Sequence, residues 1–252
     1  MKPKNIHGTT LDRLGEAIVS GRHPAGAVLP AEPLLCDELG VSRTVVREAV
    51  KSLVAKGLLR TGPKVGTRVQ PEEAWNWFDP DLVAWQSKAG LTREFLRDLQ
   101  ELRRVIEPAG VRLAALRASA DDIAQIEAAF VGMAHAVEKG GDYVAFDLRF
   151  HQGLLRASHN RMLMQMGKAL AALLRMSFEL STLKPGRSTR SLPEHRAVLD
   201  AVIARDPDAA ERAIVELIDD AGGEVERVIR SRRKLPSLNA PARRLLAPAE
   251  SA

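Results

Sequence analysis

Apolar residues recur with a helical period through most of the chain, and the first seventy residues break that rhythm in an informative way. In "TTLDRLGEAIVSG", residues 9–21, Leu11, Leu14, Ile18 and Val19 share one face of a helix that a glycine ends. The turn-rich "RHPAGAVLP" follows, and then a short helix is predicted over Glu32–Leu39, closed by Gly40. Ser42 offers an N-cap to a third helix over Thr44–Lys56. Its Val46, Ala49, Val50, Leu53 and Val54 are expected inward, with Gly57 as the stop. The period then shortens to two: "LLRTGPKVGTRVQP" reads as two short strands around a turn at Gly62 and Pro63, a hairpin or wing. Helix, helix, turn, helix and hairpin within residues 8–70 make a winged helix-turn-helix.

Residues 71–91 are expected to link this domain to the next. They are acidic and hold Trp75, Trp77 and Trp85, which suit either a packed core or a plug between domains. From residue 92 to 234 no strand pattern is visible. Six or so amphipathic helices are predicted, with a kink near Pro108, a capping box from Ser119 and Asp122, and a stop at Gly140–Gly141. That describes an all-helical bundle of about 140 residues. Residues 235–252, rich in proline and alanine, read as a disordered tail. The expected fold class is mainly α, a winged helix-turn-helix followed by a helical bundle.

Charge sharpens the division. Residues 1–70 carry 11 Lys and Arg against 6 Asp and Glu, while the rest holds 26 of each. The whole net charge of +5 therefore belongs to the small first domain, as expected where one domain meets a polyanion and the other does not. Hydroxyls and arginines at the start of the third helix (Ser42, Arg43, Thr44, Arg47) stand where a recognition helix would meet base edges and phosphates. In the wing, Lys64 and the small Gly66 would approach the sugar-phosphate wall. Taken singly, Arg43, Arg47 and Lys51 are equally compatible with an ordinary solvated face. A single cysteine, Cys36, leaves no intrachain disulfide framework and suits a reducing compartment. No stretch has the apolar length of a signal peptide or a membrane span, so a cytoplasmic protein without a membrane partner is expected.

In the neutral bundle, Asp147 and His151 are spaced i, i+4 and face one side of a helix, and His195 follows on another. Asp, His and His form an incomplete shell for Zn²⁺ or another divalent ion, although an i, i+4 Asp–His pair also serves as a plain hydrogen bond. Arg103 and Arg175 lie in apolar helical segments where a guanidinium needs a partner. A bound carboxylate would suit each, and so would Glu101, Glu107 or Glu179.

With these motifs in place, "LPAEPLLCDELGVSRTVVREAVKSLVAKGLL" followed by "KVGT" resembles the GntR family of bacterial transcription regulators. The later "ELRRVIEPAGVRLAA", "DLRFHQGLL", "EHRAVLDAV" and "RDPDAAERAI" resemble the helical ligand-binding domain of its FadR subfamily, the FCD-type domain, most like that of D-galactonate operon repressors. The resemblance implies a homodimer on a short palindromic operator, with a small carboxylate effector in the helical domain. It places DNA contacts on Ser42, Arg43, Thr44, Arg47, Lys64, Gly66 and Thr67, and metal ligands on Asp147, His151 and His195. Two departures stand out. Pro33 replaces an arginine that in the family often contacts DNA, and Leu217 stands where the subfamily usually has a last histidine ligand. Three ligands would hold a metal more weakly, or with an effector completing the shell.

The function this implies is a ligand-responsive repressor of a sugar-acid (aldonate) catabolic operon. The alternative is a metal-dependent enzyme with a DNA-binding appendage. It lacks an HExxH motif, a nucleophile elbow and a glycine-rich phosphate loop, and Glu194 beside His195 is its one candidate base.

Overall fold

A computed structural model describes residues 6–62, 66–183 and 186–231. Within them the chain forms ten α-helices and one two-stranded sheet, divided into two compact units that meet in sequence at Gly90 and Leu91. The expected tail at 235–252, and Lys64 in the wing, lie outside the described residues.

In the first unit, α1 (Ile6–Val19), α2 (Glu32–Leu39) and α3 (Arg43–Ala55) precede an antiparallel hairpin of β1 (Leu59–Gly62) and β2 (Gly66–Val69). Backbone bonds from Leu29 N to the Thr67 carbonyl (2.8 Å) and from Val69 N to the Ala27 carbonyl (2.9 Å) lay the segment before α2 along β2. The core joins Leu11, Leu14 and Ile18 of α1 to Val46, Ala49 and Leu53 of α3, closed by Leu58, Leu59 and Val69. Val54, expected inward, is 38% exposed. It sits one residue beyond Leu53, and the helical turn of about 100° per residue carries it off the buried face.

Residues 71–91 do more than link. Their helix α4 (Pro80–Ala89) packs on α1, and Trp75, Leu82 and Trp85 complete the first unit's core. The Trp85 indole donates to Asp12 Oδ1 at 3.0 Å. Its ring lies so close to α1 that a β-carbon on Gly15 would sit 2.5 Å from it. Asp79 caps α4 by accepting from Asp81 N, and it also holds the Lys56 ammonium (2.7 Å), with Asp81 a second partner at 3.0 Å. A tryptophan anchor and a lysine clamp thus tie this stretch to the helix-turn-helix.

The second unit is six helices: α5 (Arg93–Arg117), α6 (Ala120–Lys139), α7 (Tyr143–Ala157), α8 (Arg161–Ser181), α9 (Arg187–Ile203) and α10 (Pro207–Ser231). Ser119 and Asp122 form the expected capping box at α6. Helix α5 runs on through Pro108 as one helix, with that ring buried. Phe150, Leu154, Val198, Val202, Ile214 and Ile218 fill the core between α7, α9 and α10. The apolar helical stripes read from the sequence therefore face one another, and the polar residues on those stripes are forced together inside.

Candidate functional site

At the start of α3, Ser42 has the extended backbone of an N-cap, yet its side chain makes no cap bond, and Ser42, Arg43 and Thr44 are all exposed. Arg43 has no hydrogen bond or ion pair to another described residue. Arg47 is 62% exposed and rests its Nε on the Glu32 carboxylate at 2.9 Å, an exposed pairing that phosphate or a base can displace at little cost. None of these groups is turned inward. In the wing, Gly66 has φ 71°, a backbone conformation that leaves the turn free of a side chain, and Thr67 is half-buried beside it. The register places Arg60 of β1 directly opposite Arg68 of β2. Arg68 NH1 bonds the Gly26 carbonyl, while Arg60 is exposed and has no partner among the described residues. Opposed like charges on adjacent strands are unfavourable by themselves and become favourable against a polyanion. The alternation "LLRTG", which turns Leu59 inward and Arg60 outward, was the available signal for Arg60.

The helical unit gathers a second set of polar groups. Asp147 and His151 project from α7 into the space reached by His195 from α9. Asp147 Oδ1 lies 3.3 Å from His151 Nε2 and 3.1 Å from His195 Nε2, and one ligand atom from each residue falls within 4.8 Å of the others. All three residues are buried. His195 Nδ1 is 2.7 Å from the Ser191 carbonyl, so it donates there and leaves the Nε2 lone pair facing inward. On the other imidazole, His151 Nδ1 meets Glu107 Oε2, and Glu107 Oε1 accepts from Arg103 Nε at 2.6 Å. Two imidazole nitrogens and a carboxylate converging on one point, each histidine anchored through its far nitrogen, are a donor set that fits a divalent transition metal.

Charge pairing overrides burial throughout this network. Burial draws the His151 imidazolium down, but Glu107 and Asp147 outweigh it and raise it to about 9. Burial pushes Glu107 up, and Arg103 with His151 brings it down to about 2. Asp147 is likewise held below the usual carboxylate range, as His195 and His151 override its burial.

Arg103, Asp147, His151 and His195 wall a cavity of about 20 Å³, lined also by Tyr143, Phe178, Ser181, Thr182, Arg187, Ser191 and Leu217. It has room for a water or an ion. Tyr143 Oη lies 2.6 Å from Ser191 Oγ, which itself donates to the Ser188 carbonyl, so the phenol is the donor between them. Arg103 is 2% exposed, its guanidinium is 4.8 Å from the Phe178 ring centroid, and its NH1 is the one buried side-chain nitrogen or oxygen among the described residues without a partner.

The structure thus brings Arg103, Asp147, His151 and His195 together. It does not bring Arg175, which is outside the cavity wall with its guanidinium committed to Glu179 (2.8 Å) and Asp142 (3.1 Å). A second cation does line the cavity: Arg187, 2% exposed, pairs with Glu194 (3.2 Å) and Asp220 (2.9 Å). In the sequence it looks like part of a polar loop, "KPGRSTRS". Only its place as the first residue of α9 turns it inward.

Comparison with known proteins finds a match in each of the two units. Residues 8–69 match the family model for bacterial regulatory proteins of the gntR family, and residues 98–220 match that for the FCD domain. The galactonate operon transcriptional repressor of Escherichia coli (strain K12) is 36% identical over 81% of this chain and 90% of its own length. The HTH-type transcriptional regulator YieP of the same strain is 30% identical over 85% of this chain and 93% of its own. Among solved structures, Lar of Listeria monocytogenes shares the fold, with a TM-score of 0.62 at 17% identity over 90% of this chain and 100% of that one.

Proposed function

Since this chain belongs to the GntR family of bacterial regulators and carries an FCD domain, a ligand-responsive DNA-binding regulator rather than an enzyme, we propose that it is a cytoplasmic homodimer repressing a sugar-acid catabolic operon. Ser42, Arg43, Thr44 and Arg47 enter the major groove of an operator half-site, and the wing, through Lys64, Gly66, Thr67 and Arg60, follows the adjoining backbone. Two-fold symmetry sets the paired recognition helices one turn of DNA apart, ~34 Å. The 36% identity to a galactonate operon repressor supports an aldonate as the effector class.

One observation carries the effector site: the buried, unpartnered NH1 of Arg103 in the wall of a cavity that also holds Asp147, His151 and His195. An unsatisfied buried guanidinium nitrogen costs free energy that a bound carboxylate recovers. Asp147, His151 and His195 would hold Zn²⁺ or a similar divalent ion, which supplies Lewis-acid attraction for oxygens of the acid. With a divalent ion bound and His151 neutral, the ion and Arg103 outweigh Glu107 and Asp147 by one positive unit, while Arg187 is paired by Glu194 and Asp220, so the Arg103 side of the cavity suits a carboxylate. Ser181, Thr182 and Ser191 line the same space; their hydroxyls donate to backbone carbonyls and keep acceptor capacity for a polyhydroxy chain.

A volume of about 20 Å³ excludes a six-carbon acid from the cavity as it stands. Binding therefore selects an opened arrangement of the wall, and the difference in effector affinity between closed and opened forms is the free energy available to switch DNA binding. The test is calorimetry with D-galactonate and related aldonates against the full chain and Arg103→Ala, with operator release followed in parallel. Tight binding by the wild type and none by Arg103→Ala is expected; equal affinity in both removes Arg103 from the site.

A further inference from the structure

We infer that Glu107 is a positioning residue whose single carboxylate fixes both the metal-binding face of His151 and the effector-binding face of Arg103. The inference rests on the effector and metal reading above and goes beyond it, since Glu107 is absent from the cavity wall. Its two oxygens face different partners: Oε1 is 2.6 Å from Arg103 Nε, and Oε2 meets His151 Nδ1. With 3% exposure it has no water to fall back on.

The chemistry of the two contacts is unequal. Arg103 Nε is a donor at every accessible pH, so the oxygen facing it must accept. The oxygen facing His151 also accepts, which keeps a proton on Nδ1 and leaves Nε2, 3.3 Å from Asp147 Oδ1, as the nitrogen that would give up its proton to a metal. On the arginine, the bond at Nε fixes the guanidinium plane and leaves NH1 buried without a partner among the described residues. One carboxylate thus orients a cation and an imidazole at once, and only a group with two acceptor oxygens can do both.

This makes Glu107→Gln a discriminating change, because it keeps the shape and removes one acceptor. The amide oxygen must face Arg103 Nε, so its NH₂ faces His151 Nδ1. There it donates, Nδ1 becomes the acceptor, and the imidazole proton moves to Nε2, on the lone pair a metal requires. The reverse amide orientation sets NH₂ against the arginine donor. Removing that donor as well lets the amide turn, so Arg103→Met added to Glu107→Gln returns an acceptor to His151.

The experiment titrates Co²⁺ into the full chain and its variants, read by visible absorption, with circular dichroism confirming the fold. Glu107→Gln should weaken Co²⁺ binding by roughly 10–100-fold, and the Glu107→Gln/Arg103→Met variant should recover affinity over the single change while binding no D-galactonate. Long-range ¹H–¹⁵N spectra of the metal-free Glu107→Gln protein should show the His151 proton on Nε2. Should Glu107→Gln fail to fold because Arg103 is left as an unpaired buried charge, the double variant, which lacks that charge, carries the test through its own Co²⁺ uptake. Wild-type affinity in Glu107→Gln, a double variant no better than the single one, or a folded double variant without uptake overturns the positioning role alone. A wild-type chain that takes up no Co²⁺ overturns the metal reading and this inference with it.

Discussion

Replacing Arg60 by Gln should weaken DNA binding and leave the fold as stable as before or slightly more so. Arg60 faces Arg68 across the hairpin, with Arg68 held by the Gly26 carbonyl and Arg60 exposed without a described partner. Cross-strand pairs of charges contribute roughly 0.2–1 kcal/mol, unfavourably when like charges oppose. Neutralising Arg60 should therefore return up to that amount to the wing. On DNA the sign reverses. One phosphate contact contributes about 0.9 to the slope of log affinity against log salt, so losing one from each wing of the dimer flattens the slope by about 1.8. Across a rise from about 50 to 200 mM salt, the wild-type dimer should lose about 12-fold more affinity than Arg60→Gln. Fluorescence anisotropy with an operator duplex and a scrambled duplex reads both effects, and the flattening should be equal on the two because phosphate carries no sequence. Arg43→Ala should behave differently, costing ~1–3 kcal/mol of discrimination between the duplexes. A slope unchanged in Arg60→Gln would refute the placement of β1 against the DNA backbone, and undiminished discrimination in Arg43→Ala would remove the front of α3 from the groove.

Three further outcomes follow from packing and charge. Gly15→Ala puts a β-carbon 2.5 Å from the Trp85 ring and should cost about 1–3 kcal/mol by overpacking, seen as a lowered melting temperature; an unchanged melting curve would contradict the seat of α4 on α1. Asp122→Ala removes the α6 capping box and should cost ~0.5–2 kcal/mol near neutral pH. Burial raises the Asp122 carboxyl, but its bonds with Ser119 and His159 outweigh that and hold it below its ordinary 3.8. Its contribution is thus complete above that value and disappears as pH falls through the lower folded one, so urea melts of wild type and variant should converge in strong acid. Leu217→His offers the cavity a fourth nitrogen ligand, so Co²⁺ should bind more tightly and D-galactonate less so, the reverse of what an uninvolved wall residue would give.

The recognition helix and wing were legible in the sequence because local signals agree there: helical period, Ser42 at an N-cap, Gly57 as a stop, alternation at Leu59 and Arg60, and charge confined to one end. The spacing of Asp147 and His151 was legible for the same reason, since four residues along a helix fix a shared face. His195 was a candidate by residue type alone, since no spacing along the chain ties α9 to α7. Nothing in the sequence marks Glu107 or Arg187 as neighbours of the cavity, and of the two partners open to Arg175, a carboxylate ligand or Glu179, the structure has Glu179. Each arginine sits in a segment where an ion pair and a ligand contact leave the same trace in the sequence, because a guanidinium accepts either carboxylate. Which partner it meets depends on how α5, α8, α9 and α10 are rotated against one another. The sequence by itself determined the elements, their buried faces and the division between a basic reader and a neutral helical unit, all of which follow from residues close together along the chain. Only the tertiary structure decided that Trp75, Leu82 and Trp85 belong to the first core, that Arg103 keeps a nitrogen without a partner among the described residues, and that one buried carboxylate joins Arg103 and His151. Those outcomes depend on contacts between residues distant in sequence, where helix packing sets the distances on which hydrogen bonds and ion pairs depend.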